Sequence, residues 1–341
     1  MNLLTYVRGL PFREALPDLT IVAGIVIIFA VIAGILDYVA LMRPSLLFPV
    51  WLFLFAGHYW AKGSSYLPPA TGLGFPFYIV FLSYSLAMAS IYVINQIYDV
   101  ESDRINKKLF LLPEGIIKIK DAALFAAILF LFSLAIAFIP PIDWTFRIVL
   151  LLSYLLGILY SAKPISLKDR PFLDMLSNGF GYGVLNFLAG WITVKHLDVS
   201  ALLHSLPYFL SVSAIFLNTT IPDINGDRAQ GKRTTGVALG EGPTTRLALI
   251  FLILALFSDL FLEDYIVAAT ALLSLPFFAK AALTKSIDDA KVSFRIGPAL
   301  LALLYGIHYP HFLILLVLTT AYLKLYYKFR FGLSYPSLKG S

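Results

Sequence analysis

Long apolar runs separated by short polar breaks dominate the chain. Runs of spanning length fall near 19–41, 44–61, 75–97, 121–139, 144–162, 171–194, 200–221, 244–262 and 264–283. They are near-continuous, without apolar/polar alternation, so the pattern predicts membrane-crossing helices rather than barrel strands. The tail from 296 to 327 is also apolar and is broken at Tyr309-Pro310, which predicts two half-spans turning at the proline. The total is ten or eleven segments at about 20 residues per span. No Ser/Gly-rich linker divides them. The expectation is an all-α integral membrane protein with a main domain over 43–330, an N-terminal segment 1–42 with its own span, and a tail 331–341. Leu19–Met42 exceeds a signal-peptide core and lacks a small-x-small cleavage site, so an uncleaved span is expected.

Composition sharpens this picture. Of the 341 residues, 59% are hydrophobic and 13% charged, against about 25% charged in ordinary soluble domains. Mean hydropathy is +0.83. A soluble enzyme, a disordered regulator and a disulfide scaffold are excluded, and the absence of cysteine removes thiol and iron–sulfur chemistry. The net charge of +6 reports loop topology, so no nucleic-acid partner is expected. Basic residues cluster in alternate loops: Arg104, Lys107, Lys108, Lys118 and Lys120; Lys163, Lys168 and Arg170; Arg228, Lys232, Arg233 and Arg246; Lys280, Lys285, Lys291 and Arg295. The other loops hold Lys62 and Lys195. Positive-inside bias puts the first set on the cytoplasmic face of a prokaryotic-type cytoplasmic membrane. Arg8 and Arg13 run against that bias if 19–41 spans.

Two polar stretches repeat one pattern. Asp99-Val100-Glu101-Ser102-Asp103-Arg104 is followed by Lys108, and Asp223-Ile224-Asn225-Gly226-Asp227-Arg228 by Lys232. Each begins where an apolar run ends, after Asn95 or Asn218. An even number of runs separates them, so both lie on one side. Residues four apart share a helix face, with Cβ atoms about 5–6 Å apart. Four carboxylates facing one cavity repel unless hard cations sit between them. Mg²⁺ suits this role, since it takes oxygen ligands and bridges carboxylates to substrate phosphates. Asp99, Asp103, Asp223 and Asp227 are the expected ligands, and Arg104, Lys108, Arg228 and Lys232 the expected contacts to phosphate oxygens. Solvated loop charge is the alternative, against which the matched repetition argues.

These residues resemble a known family. Asn95-Gln96-Ile97-Tyr98-Asp99-Val100-Glu101-Ser102-Asp103 resembles the NDxxDxxxD motif of UbiA-type intramembrane prenyltransferases. Asp223-Ile224-Asn225-Gly226-Asp227 resembles that family's second motif, commonly DxEGD. Arg43-Pro44 at the start of a span and Tyr160-Ser161-Ala162-Lys163-Pro164, similar to a YS-x-x-P signature, agree with it. The resemblance covers about 43–327. It implies nine core helices around a central cavity, with 19–41 as an extra N-terminal span. It also implies Mg²⁺-dependent transfer of a polyprenyl group from its diphosphate to a hydrophobic acceptor, aromatic or lipid, in quinone or isoprenoid-lipid biosynthesis. Polyprenyl diphosphate, that acceptor and the bilayer are the expected partners, and the motif loops cap the cavity on the cytoplasmic side. Gln96 replaces a usual aspartate, Thr220 stands where another acid is common, and the loop around Pro113-Glu114-Gly115 lacks the usual arginine.

The expected catalytic set is Asn95, Asp99, Asp103, Asp223 and Asp227. Lys163, Lys168 and Arg170 form a third basic loop that reads as a further contact to diphosphate or an acidic acceptor, with Lys163 favoured by its place in the YS-x-x-P segment and plain positive-inside charge as the alternative. Tyr160, Asn178 and Asn186 are candidates for acceptor positioning or cation stabilisation. The two asparagines, eight apart, are expected to share a helix face, and interhelical hydrogen bonding is their alternative. Asp174 reads as a helix-start acid. The histidines are scattered at span ends and form no metal set, and no G-x-S-x-G elbow is present. Two other activities stay open. One is phosphoribosyl transfer to a polyprenyl phosphate on the same scaffold. The other is an ion-coupled secondary transporter, which would place its acids near mid-span.

Overall fold

The computed structural model describes residues 33–63, 73–105 and 111–333. Every regular element among them is helical. A short α1 (Ala33–Leu41) meets α2 (Pro44–Ala61) at a 52° bend, where Pro44 takes the first helical position and needs no amide partner. Then follow α3 (Gly74–Ile105), α4 (Ile119–Ala137) and α5 (Trp144–Ser161). Leu173–Asn178, Gly179–Leu185 and Asn186–Trp191 run on as α6, whose middle piece is a π-turn. Next come α7 (Val199–Thr219), the short α8 (Ile224–Ala229) and α9 (Thr235–Leu239), and the long α10 (Glu241–Phe261), α11 (Tyr265–Thr284), α12 (Ile287–His308) and α13 (Pro310–Phe331). Side-chain caps set several starts: Asp143 accepts from the Thr145 amide, Asp198 from Ala201 and Asp264 from Val267.

Among the described residues eight helices are long and apolar enough to cross a membrane, and the bent α1–α2 pair counts as a ninth if taken as one span. The outer faces carry exposed Leu124, Leu131 and Phe132 on α4, Leu202, Leu203 and Leu206 on α7, and Ile250, Leu254 and Phe257 on α10. Such a belt is suited to lipid. Inside, small residues bring backbones together. Gly57 of α2 and Gly190 of α6 face each other's helices, and a Cβ at either would lie 1.9 or 2.0 Å from the opposing Phe187 or Leu54 carbonyl oxygen. Between α3 and α4, the Ser83 hydroxyl donates to the Ser133 carbonyl at 2.8 Å and the Ser133 hydroxyl to the Ser83 carbonyl at 2.6 Å.

The tail differs from the expected pair of half-spans. The turn does fall at Tyr309-Pro310, but each arm is a full helix of 22 residues. An apolar run misses the first turns of α12, where Asp288, Asp289, Lys291 and Arg295 face outward while Ala290, Ser293, Gly297, Leu301 and Tyr305 are buried at helical spacing. Beyond 327, α13 continues through Lys328 and Arg330. Of the expected span 19–41, only α1 falls within the described residues. It is pinned to the other end of the chain, because Asp37 accepts from the Tyr326 hydroxyl at 2.6 Å and from Arg330 Nε and Nη2 at 3.1 Å each.

Candidate active site

The first aspartate pair rides on α3, whose 32 residues make a rod of about 48 Å at 1.5 Å per residue. That exceeds a hydrocarbon core of about 30 Å. Its last turns, with Asp99 and Asp103, therefore project beyond the apolar layer. The second pair follows α7, where Pro222 interrupts the helix and a 3₁₀ turn (Ile221–Asp223) leads into α8. The two ends meet: the Ser102 hydroxyl of α3 donates to the Gln230 amide oxygen after α8 at 3.0 Å. The repeat thus folds to one end of the bundle, as its spacing required.

A pocket of about 170 Å³ lies at this end, lined by Tyr160, Lys168, Asp169, Asp223, Asp227, Lys232 and Thr234 among others. Asp223 and Asp227 line it while Asp99 and Asp103 do not, and lysines pair with one carboxylate of each motif. Lys168 Nζ lies 2.6 Å from Asp99 Oδ1, with both side chains largely buried. Lys232 Nζ lies 3.5 Å from Asp227 Oδ1, and the Thr234 hydroxyl donates to Asp227 Oδ2 at 3.4 Å. The α9 loop bearing Lys232 is anchored from below. Asp174, fully buried at the start of α6, accepts from the Thr235 amide at 2.7 Å and from its hydroxyl, and from the Met175 amide at 2.7 Å. Its role as a helix-start acid therefore extends to fixing the second-motif loop.

Two apolar lobes lie beneath the pocket. The larger, about 500 Å³, runs between α2, α7, α11, α12 and α13. It shares Phe216 and Thr219 with the charged pocket. Its Thr270 and Ser274 hydroxyls turn to their own helix, donating to the carbonyls of Ile266 and Thr270, so the lobe presents an apolar wall. The smaller, about 280 Å³, lies among α2, α3, α5 and α6 and is lined by Arg43, Tyr84, Tyr92, Asn95, Tyr160, Asn178 and Tyr182 with apolar partners. Leu46, Asn178 and Tyr182 border both lobes. Asn95 donates to the Ser161 hydroxyl at 3.0 Å, and Asn178 to the Tyr160 hydroxyl at 3.1 Å.

Several expected residues lie elsewhere. Arg104 turns to Glu101 (2.8 Å) and to the Pro113 carbonyl (3.2 Å). Lys163 and Arg228 are exposed outside the pocket lining, and Lys108 falls outside the described residues. Asp103 is half-buried on the face of Asp99, whereas Asp223 is exposed at the pocket rim. Asn178 borders both lobes, whereas Asn186, beyond the π-turn, lines neither; it is fully buried and accepts from the Tyr84 hydroxyl at 2.9 Å. Within the third basic loop it is Lys168, not the favoured Lys163, that reaches Asp99, from a loop with no counterpart in the repeat. The departure at Gln96 also has a cause. Its amide donates to the Leu41 carbonyl at 2.7 Å, tying α3 to the α1–α2 bend, a bond an aspartate cannot donate.

Among the described residues no three carboxylates or imidazoles converge as a ready-made metal cage. An oxygen donor set split across two helix ends still fits Mg²⁺, which completes its shell with water and substrate phosphate. Asp99, Asp103, Asp223 and Asp227 are the residues that would hold it.

Comparison with known proteins gives a consistent picture. Digeranylgeranylglyceryl phosphate synthases from Methanosphaera stadtmanae and Sulfolobus acidocaldarius are 31% and 32% identical over 165 and 191 residues, 48% and 54% of this chain. The matched stretches span 58% and 64% of those relatives' own lengths. A solved digeranylgeranylglyceryl phosphate synthase superposes with a TM-score of 0.62 at 22% identity, covering 79% of this chain and 96% of that one. A UbiA homologue from Archaeoglobus fulgidus bound to GPP and Mg²⁺ gives 0.61 at 19% identity, covering 80% and 99%. Residues 50–304 match the UbiA prenyltransferase family as a whole; with the paired aspartate motifs at one end of an all-helical bundle, the chain belongs to that family.

Proposed function

We propose that this protein transfers a polyprenyl group from its diphosphate to a lipid acceptor with an anionic head, of the glyceryl-phosphate type its relatives' names describe. The observation that carries this reading is one pocket of paired carboxylates and lysines set over two apolar lobes that meet beneath it. Mg²⁺, held between the two aspartate pairs, would supply charge to the leaving diphosphate. Lys168 and Lys232, paired with Asp99 and Asp227 at this end of the bundle, are the cations that would contact the phosphate oxygens. Negative charge builds on the diphosphate as the allylic C–O bond breaks, and fixed cations in a dry site stabilise it strongly. Tyr160 lines both the charged pocket and the smaller lobe, Tyr182 and Asn178 border both lobes, and Asn95 lines the smaller one; these are the groups available to stabilise the allylic cation. The acceptor hydroxyl attacks it, and the departing diphosphate is the nearest base for the proton lost.

The larger lobe suits the prenyl chain. The smaller, with its phenols, amides and Arg43, suits a polar acceptor head. The charge bias of the basic loops supports a cytoplasmic face for this chemistry. The test is purified protein with Mg²⁺, labelled prenyl diphosphates and a panel of glyceryl-phosphate, aromatic and polyprenyl-phosphate acceptors. Diphosphate release that depends on the glyceryl-phosphate lipid is expected. Release with an aromatic acceptor alone overturns the lipid assignment, and no release with any donor overturns the activity.

A further inference from the structure

At its end far from the aspartate motifs the larger lobe meets Tyr208, and a hydrogen-bonded cluster fixes that residue. Tyr208 of α7 lines the lobe and is fully buried. Its hydroxyl donates to Asp264 Oδ2 at 2.8 Å and lies 2.6 Å from the Tyr305 hydroxyl of α12. Asp264 Oδ2 also accepts from Trp60 Nε1 of α2 at 2.7 Å, and Oδ1 from the Val267 amide. Three spans and the α10–α11 loop are thereby tied at the end of the bundle opposite the aspartate motifs. The Phe53 ring meets Tyr208 edge-on with centroids 5.7 Å apart, and the Phe187 ring lies 4.9 Å from it on the other side. A phenol held at its oxygen by two partners and at its ring by two more is a fixed floor, since moving it leaves a buried carboxylate short of a donor.

The distance from this floor to the chemistry follows from helix geometry. Thr219 borders the charged pocket and Tyr208 the floor, both on α7. Their separation along the helix is about 16 Å at 1.5 Å per residue. An isoprene unit adds four main-chain carbons, about 5 Å when extended with C–C bonds of about 1.5 Å. The lobe thus accommodates roughly three to four units between reacting carbon and floor.

We propose that Tyr208, held in place by Asp264 and Tyr305, is the specificity-determining floor that limits the donor to chains of 15 to 20 carbons. The inference rests on the prenyl-transfer reading and deepens it. Its test compares kcat/KM for the 10-, 15-, 20-, 30- and 40-carbon prenyl diphosphates in wild type, Tyr208→Ala, Tyr208→Phe and Leu52→Trp, each checked for a folded monodisperse state in detergent. Wild type is expected to peak at 15 to 20 carbons and to fall at least tenfold by 30. Tyr208→Ala should raise the 30-carbon value relative to the 10-carbon value at least tenfold. Tyr208→Phe keeps the ring and should keep the wild-type profile. Leu52→Trp fills the deep half of the lobe and should move the peak to shorter chains, which decides the question if Tyr208→Ala does not fold. An unchanged length profile in folded Tyr208→Ala and Leu52→Trp overturns the floor. Loss of turnover with every donor in wild type would count against the reaction itself and not against the floor.

Discussion

At Asp99 a residue far along the chain decides the local chemistry. Lys168 approaches from the α5–α6 loop and makes the closest ion pair of the charged pocket, while Lys163, five residues earlier, stays exposed. Lys168→Ala is therefore expected to raise KM for the prenyl diphosphate by about 10- to 100-fold, the size of a lost charge-assisted contact of about 1.5–3 kcal/mol. Lys163→Ala should change it less than threefold. Titration of purified variants with one donor under fixed Mg²⁺ decides between them. Asp99→Ala and Asp223→Ala should each lose turnover while keeping the wild-type thermal transition, and near-normal transfer by either would remove the metal reading. Asp174 acts one layer further out. Its replacement by Ala leaves the Thr235 amide and hydroxyl without their partner inside the protein, a cost of about 1–3 kcal/mol. Both a lower melting temperature and faster proteolysis of the 230–235 loop are expected.

Among the elements, α6 shows best what the chain's pattern conceals. Its apolar run and its glycines were legible, and so was their use in close packing. Gly57→Ala or Gly190→Ala should destabilise by about 1–3 kcal/mol, since a Cβ there meets backbone that cannot yield; thermal unfolding in detergent measures it. The π-turn was not legible, because seven apolar and glycine residues at 179–185 satisfy either winding. The aspartate repeat was fully legible, since matched offsets at the ends of two apolar runs require no knowledge of tertiary structure. The pairing of Lys168, rather than Lys163, with Asp99 and the Asp174–Thr235 contact were not, because each joins segments about 60 or more residues apart and loop conformation alone sets which basic group arrives. For α12 and α13 the turn was visible at Pro310, and the helix lengths were hidden by polar first and last turns.

Over the whole molecule, scarce charge is divided by task. Carboxylates and lysines at one end form the reacting pocket, aromatic and carboxylate groups at the other close the large lobe, and the walls between them are apolar. The residues that match the family, 50–304, hold both ends of this axis, whereas α1 and α13 fall outside that range and are joined to each other through Asp37, Tyr326 and Arg330. Asp37→Ala should therefore lower the melting temperature, by an amount corresponding to about 1–3 kcal/mol for a partly buried hydrogen-bonded charge, and leave the donor-length profile unchanged.

That clasp joins helices from opposite ends of the described chain and so closes the bundle into a hoop. A hoop loses strength as a unit: a detergent or lipid that pries α13 away from α2 also removes the Asp37 contacts of α1, and with them the support on the Leu41 carbonyl that Gln96 grips one turn from Asp99. Solubilisation that looks mild by retained helix content can thus slacken the charged pocket first, and activity would fade before any spectroscopic sign of unfolding.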